Sequence, residues 1–345
     1  MYLSQSMIKV GIVGISGYSG LTALEILLKH PHVRVTYVSA NNTEGSLSDI
    51  WPQLTGRTNL YCKKFDLKTA VDLCDLIFLA VPHTASLEIT PGLLNANKRV
   101  VDLSGDYRLK NIKDYEKWYG AKHGDAKNLK KAVYGLPELY RQDIVKAQLI
   151  SNPGCYPTAA LLALAPLSAF HGHDISSIII DAKSGVSGAG RKAKLSLNFT
   201  EVNENFKAYK VLHHQHAPEI DLYLSKFSNH QLNVHFVPHL LPINRGILET
   251  IYVHINEKMG FNELYSLYQK FYKTEPFVRL LPKGQQPEIK HVTGTNMCDL
   301  GLEISADSRL IVITSVIDNL VKGAAGQAVQ NMNIMCGFKE AEGLV

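Results

Sequence analysis

No pair of cysteines in this chain stands at Cys-x-x-Cys spacing. The five cysteines (Cys62, Cys74, Cys155, Cys298, Cys336) are odd in number and far apart. That pattern argues against both a zinc site and a disulfide framework, so no metal is expected and a reducing cytoplasm is the simplest setting. No apolar run reaches transmembrane length, so no membrane partner is expected. Residues 1–6 lack the apolar core of a signal peptide and read as an unstructured leader, with Met7 an alternative start. There is no basic run either. The net charge of +5 is scattered, which disfavours nucleic acid and is compatible with small anions. Internal repeats and low-complexity tracts are also missing.

What is present is a globular composition, 46% hydrophobic over 345 residues. That is more chain than one typical core holds, so two domains are expected. The first opens on a short apolar strand, residues 8–13, then Gly14-Ile15-Ser16-Gly17-Tyr18-Ser19-Gly20, then a helix over 21–30. The glycines fall as Gly11-x-x-Gly14-x-x-Gly17, a variant of the dinucleotide-binding turn. Their task there is a tight turn and close backbone approach to a pyrophosphate at a helix N-terminus. A purely structural strand-to-helix turn would read the same way.

A second strand, 33–39, ends in Ser39-Ala40-Asn41-Asn42-Thr43. An NAD site usually carries Asp or Glu there. The absence of a carboxylate leaves room for a 2′-phosphate, with Ser39, Asn41 and Thr43 as donors, and leans the site towards NADP. An apolar strand over 75–81 stops at Pro82-His83, at the sheet end where ligands bind. His83 reads equally as a cofactor neighbour or a loop histidine. After a helix (86–96), another strand (99–103) ends in Ser104-Gly105-Asp106-Tyr107-Arg108. Arg108 is placed to clamp a carboxylate or phosphate, although surface arginines are common. Residues 110–131 are polar with poor periodicity and read as an exposed excursion.

Ser151-Asn152-Pro153-Gly154-Cys155-Tyr156-Pro157-Thr158 then sets one cysteine at the mouth of a helix expected over 159–170. Pro157 suits a first helical turn, and the positive helix end favours a thiolate. A small buried cysteine is the plainer reading. The second half is strand-rich, with strands at 175–182, 232–241, 247–255, 300–304 and 310–317. A helix follows at 261–272, and a closing helix over 319–335 is expected to return to the first domain. Small residues at Gly323 to Gly326 permit close helix packing. The Gly/Ser loop over 183–191 reads as an anion nest ending in Arg191, or as a linker. His213-His214-Gln215-His216-Ala217-Pro218-Glu219 admits three readings: a metal site, a solvated loop, or an acid/base histidine for Cys155 oriented by Glu219.

Several stretches stand in one order: 11–20, 80–83, 102–108, 134–138, 151–158, 184–191, 214–220 and 242–246. In this the chain resembles the N-acetyl-γ-glutamyl-phosphate reductase family. The Asn-Pro-Gly-Cys-Tyr-Pro-Thr run and the His-x-His-x-Pro-Glu-Ile run carry most of the match. The resemblance implies an α/β plus α+β chain. A Rossmann NADP-binding domain (7–154 plus 318–345) would join a mixed or antiparallel-sheet catalytic and dimerisation domain (155–317), in a homodimer or homotetramer.

It further implies Cys155 as nucleophile and His216 or His214 as acid/base. NADP(H) would lie on Gly14, Ser16, Gly17, Tyr18 and Ser19, on Ser39 and Asn41, on Pro82 and His83, and on Ser187, Gly188 and Asn319. The acyl-phosphate substrate would meet Ser104, Arg108, Asn152, Arg191, Glu219 and Arg245. Two departures stand out: Asn41-Asn42 where the family often has an Arg, and His-Gln-His for the commoner His-Arg-His. The alternatives are a related dehydrogenase for aspartyl or carrier-bound aminoadipyl phosphate, and a nucleotide-sensing protein without chemistry. The presence of both Cys155 and the histidines argues against the latter.

Overall fold

The structure is a computed structural model that describes residues 7–171 and 174–345; the leader over 1–6 lies outside them. The chain divides into two compact units. Unit 1 runs up to Pro153 and resumes at Ala324; unit 2 is Gly154–Gly323.

Unit 1 begins with β1 (Ile8–Val13), α1 (Tyr18–Leu27), β2 (Val33–Ser39), β3 (Gly45–Ser46), α2 (Leu47–Ile50), β4 (Tyr61–Cys62) and α3 (Leu67–Leu73). It continues through β5 (Leu76–Leu79), α4 (Ala85–Asn95), β6 (Arg99–Asp102), α5 (Ile112–Tyr119), α6 (Ala126–Lys131), β7 (Val133–Tyr134), α7 (Pro137–Ile144) and β8 (Leu149–Ser151). Six strands form one parallel sheet, in the order β2-β1-β5-β6-β8-β7. The reason is visible in β5: all four residues are buried, and they alternate between two separate cores. Leu76 and Phe78 join Leu21, Leu24 and Leu27 of α1 in one core. Ile77 and Leu79 join Ala70 of α3 and Leu93 of α4 in the other. A strand covered on both faces has no polar side, which is why the sequence there is continuously apolar.

The stretch expected as an exposed excursion is a correction. It folds as α5 and α6, and Tyr115 and Leu129 are buried. The Tyr115 hydroxyl donates to Asp106, while Tyr107, just ahead of the stretch, donates to Asp125. Tyrosine buries its ring and keeps a polar tip satisfied, so a core built from it looks polar in sequence.

Unit 2 comprises α8 (Cys155–His171), β9 (Ile175–Gly185), α9 (Phe199–Val202), β10 (Lys207–Ala208), α10 (Ala217–Ser228) and β11 (Val234–Leu241). β12 (Ile247–Ile255), α11 (Phe261–Phe271), β13 (Val278–Leu280), α12 (Ile289–Val292), β14 (Cys298–Ile304) and β15 (Leu310–Ile317) complete it. The seven-stranded sheet is mixed, in the order β10-β11-β9-β12-β15-β14-β13. β11 and β12 are joined by five residues yet do not pair with each other. β9 lies between them, parallel to β11 and antiparallel to β12.

Register puts Phe236, Ile180, Ile251 and Ile313 in one fully buried row. On the opposite face the row His235, Ile179, Tyr252 and Val312 is partly or fully exposed. α8 is apolar all round from Ala159 to Leu167 and is buried accordingly. Pro166 inside it has no N–H, which leaves the Leu162 carbonyl without its helical donor. The Tyr272 hydroxyl supplies that bond, and Tyr268 donates to the neighbouring Ala163 carbonyl at 2.6 Å.

The single closing helix expected over 319–335 is instead a π turn, Val321–Ala325, followed by α13 (Gly326–Cys336). Asp318 heads the π turn. Its Oδ1 accepts the N–H groups of Leu320 and Val321, and its carbonyl accepts that of Gly323. α13 belongs to unit 1, where buried amides on it hold turns in place. Gln327 and Asn331 both donate to the Gly135 carbonyl.

Candidate active site

Cys155 is the first residue of α8, partly exposed, and no disulfide joins any of the five cysteines. The turn ahead of it is fixed from both sides. Gly154 donates its N–H to Oε1 of the fully buried Glu219 at 2.9 Å. Its carbonyl accepts the Thr158 N–H and hydroxyl, each at 2.9 Å. Pro157 lies in the first turn, as its missing N–H allows. The result is a thiol at a rigid helix N-terminus, where backbone N–H groups and the helix dipole favour an anion.

Around the adjoining Tyr156, unit 2 gathers an aromatic and imidazole cluster. Its ring meets His214, His216 and Phe236 edge-on, at 5.7, 5.9 and 5.2 Å. The Tyr156 and Tyr209 hydroxyls are 3.2 Å apart. Burial raises the Tyr156 phenol far above its ordinary range, with Tyr209, Cys155 and Glu249 adding to the effect.

Both histidines of the cluster are buried. His214 is buried, and burial, with Lys210 nearby, pushes its pKa down to about 3. Its Nδ1 accepts the backbone N–H of His216 at 3.2 Å, which fixes that nitrogen as unprotonated. A neutral imidazole so held has no proton to give at neutral pH. His216 stands at the N-cap of α10, with its ring edge-on to that of His214 at 4.8 Å.

Gly323 makes a further contact that the sequence did not reveal as functional. A Cβ at this position would lie 2.8 Å from the Cys155 Cβ, too close for any real pair. Gly323→Ala is therefore expected to displace the thiol and lower kcat about 10²-fold, with NADPH affinity unchanged; steady-state kinetics read both.

Other expected residues also meet within unit 2. The Asn319 side chain accepts the Gly246 N–H at 2.7 Å and donates to the Ser187 hydroxyl at 2.9 Å, with Gly188 alongside. Arg245 lies 3.7 Å from the buried Asp318, and Arg191 is exposed. Glu249 had no sequence signal, since it occupies an ordinary alternating strand position. It is fully buried, and neither carboxyl oxygen has a hydrogen-bond partner among the described residues. Burial raises its pKa well above the usual carboxylate value.

In unit 1 the glycine turn has the expected form. Gly14 has φ +98°, and a Cβ there would meet the Ala80 carbonyl at 2.1 Å. α1 starts at Tyr18 behind Gly17, with no side-chain cap and no acidic residue in its first turn, so Ser16 to Ser19 stand at an uncapped helix N-terminus. Ser39 is buried; its carbonyl holds the Gly14 and Ile15 N–H groups, and its hydroxyl has no partner among the described residues. Asn41, Pro82 and His83 are exposed, and His83 Nδ1 accepts the Gly105 N–H. The donor set fits a dinucleotide: an uncapped helix N-terminus behind Gly14–Gly17, and no carboxylate over Ser39–Thr43.

Two residues expected to meet substrate are turned to the protein instead. Buried Arg108 donates to the Asn152 and Leu103 carbonyls. Buried Asn152 bonds Ala324 and Asn331. Ser104 belongs to a buried acid network: its hydroxyl and that of Ser86 both donate to Asp102, and Ser86 also donates to Asp106. Burial, then the Asp106 charge, raises Asp102 to about 7. A raised folded pKa means the folded state holds this proton while the unfolded chain has lost it. The stability contribution is therefore present at acid pH and lost as pH rises through about 7. Asp102→Asn is expected to lose less thermal stability between pH 5 and pH 8 than the wild type, by on the order of 5 °C. Parallel pH dependence in the two proteins would contradict this.

Two family models cover most of the chain. The semialdehyde dehydrogenase NAD binding domain matches residues 9–147, and the semialdehyde dehydrogenase dimerisation domain matches 155–319. A protein of Desulfotalea psychrophila named N-acetyl-gamma-glutamyl-phosphate reductase is 50% identical over 340 residues, covering 98% of each chain. One of the same name from Acetivibrio thermocellus is 47% identical over 339 residues, again 98% of each. The chain belongs to the N-acetyl-gamma-glutamyl-phosphate reductase family.

Among solved structures, aspartate semialdehyde dehydrogenase II of Vibrio cholerae, complexed with ASA, superposes with a TM-score of 0.73 at 16% identity, covering 96% of this chain and 98% of that one. The Candida albicans enzyme, solved with NADP, gives 0.72 at 14% identity, with the same coverage. These likenesses establish the shared fold: a Rossmann-like parallel sheet plus a mixed-sheet domain. The cysteine turn and the histidine run, the two stretches that carried the resemblance, are the ones that build the cluster around Tyr156.

Proposed function

We propose that this chain reduces N-acetyl-γ-glutamyl phosphate to N-acetyl-L-glutamate 5-semialdehyde with NADPH, through a thioester on Cys155, as a step of arginine biosynthesis. The observation that carries the reading is a cysteine at a helix N-terminus, next in the chain to Tyr156, whose ring meets both His214 and His216. The family's relatives favour it over an aspartyl or aminoadipyl substrate.

His216 takes the thiol proton, and the Cys155 sulfur attacks the acyl carbon. The carbon–oxygen bond to phosphate breaks, and His216 returns its proton to the leaving phosphate. An acyl phosphate is already activated, so the main demand on the protein is a sulfur held in line. NADPH, when bound, supplies the hydride that takes the thioester to the aldehyde level. N–H groups at the start of α8 stabilise the oxyanion formed there. Its collapse returns an electron pair to sulfur, which recovers a proton from solvent. His214 positions His216 through its ring nitrogen and stays neutral. Arg191 and Arg245 are candidates to hold substrate carboxylate and phosphate, while Arg108, Asn152 and Glu219 brace the cysteine turn.

The reverse reaction is the test. NADP should be reduced by the semialdehyde only when phosphate or arsenate is supplied. Equal rates without either would remove the acyl phosphate from the scheme.

The working form on this reading is a homo-oligomer in the cytoplasm, paired through the face of the unit 2 sheet that carries Ile179, Tyr252 and Val312. The dimerisation-domain match and the partial exposure of that apolar row support the pairing.

A further inference from the structure

The chain between β9 and α10 is built unlike the rest of unit 2. Leu195 is 79% exposed, Phe199 77% and Phe206 55%, with Val211 and Leu212 exposed as well. Fully burying one such side chain contributes about 1.5–3 kcal/mol, so several left in water along one short stretch form a contact surface rather than scattered exceptions. The same stretch is strained. Glu204, Lys210 and Leu212 all have left-handed backbones, with φ of 58°, 45° and 60°. A leucine in that region costs about 1–2 kcal/mol and persists only where its surroundings hold it.

Both ends of the stretch lead somewhere. β10 pairs with β11 through only two residues, and the Phe206 ring lies 5.1 Å from the His239 ring. His239 shares its sheet face with Asp181 and Lys183, in register with Leu248 and Thr250. The exposed apolar residues thus continue the partly exposed sheet face. At its other end the stretch delivers Tyr209, bonded to Tyr156, and then His214 and His216.

We propose that residues 195–212 form an arm that docks on a second copy of this chain, and that this docking holds Tyr209 and the two histidines in working position. The proposal rests on the sheet-face pairing above, because a partner covering that face meets Phe206 at its edge. The arm's charges are mixed, Lys207 and Lys210 against Glu201 and Glu204. A second globular surface suits them better than a nucleic acid or a membrane, either of which would call for a single sign.

The test uses the full-length chain with a benzophenone amino acid in place of Phe199, and separately the Leu195→Asp/Phe199→Asp double variant. Irradiation should give a covalent dimer from position 199. The double variant should sediment as a dimer and keep its KM for NADPH while kcat falls about tenfold or more, and Phe199→Leu should keep wild-type turnover. A wild-type dimer that gives no cross-link from position 199 overturns the arm and leaves the sheet-face pairing standing. A cross-link together with unimpaired turnover in the double variant overturns the coupling to the histidines. A wild-type chain that sediments as a monomer overturns the pairing, and the arm with it.

Discussion

Cys155→Ser is expected to abolish hydride transfer, with kcat down by at least about 10⁴-fold, while NADPH still binds with wild-type affinity. The serine hydroxyl fits the same space at the head of α8, so the turn fixed by Glu219 and Thr158 survives. What is lost is the more nucleophilic sulfur and a leaving group that departs from the tetrahedral adduct. Removing an atom that forms the covalent intermediate lowers kcat far more than it changes any binding constant. Fluorescence titration with NADPH and a turnover assay on one preparation separate the two effects. Turnover within tenfold of wild type would take the cysteine out of the reaction.

His216→Gln is expected to lower kcat by about 10²–10⁴-fold and to remove the pH-dependent limb that reports proton transfer. His214→Gln should behave differently. His214 is already neutral through the working range, because burial holds its pKa near 3. Its loss disturbs the hydrogen bond to the His216 backbone and the packing around Tyr156, so rate falls while the shape of the pH profile stays. The sign of its stability effect follows from the same shift. The unfolded chain binds a proton near pH 6.5 and the folded chain does not, so stability present above about 6.5 is lost as pH falls towards 3. If the His214 variant lost the pH limb and the His216 variant kept it, the two roles would be reversed.

Much of this was legible in the sequence, for physical reasons that differ by region. The glycine turn was readable because Gly14 occupies a backbone conformation, and a closeness to Ala80, that no other residue tolerates. The cysteine turn was readable because proline is favoured in a first helical turn, where Pro157 stands. The parallel sheet showed itself in β5, whose residues have no solvent face. Chemistry supplied by distant packing was not legible. Tyr209 looks like any tyrosine until its hydroxyl is found 3.2 Å from that of Tyr156. Gly323 read as a small residue for helix packing, and only the fold shows Cys155 against it. Glu249 stands in an alternating strand where a carboxylate would be read as solvent-facing, yet register turns it into the buried row with Ala182 and Ser315. The insertion of β9 between β11 and β12 could not be read from strand spacing, because pairing order is set by the whole sheet. Arg108 and Asn152 read as substrate contacts in the sequence; in the fold their polar groups bond carbonyls and amides of their own unit.

The proposed mechanism requires a covalent bond to one sulfur, and that bond can be observed without turnover. Enzyme mixed with N-acetyl-γ-glutamyl phosphate in the absence of nicotinamide should release about one phosphate per active site in a burst. Mass spectrometry should then place an N-acetylglutamyl group on the peptide that carries Cys155. Full NADPH-dependent turnover with neither the burst nor the adduct would contradict the thioester mechanism.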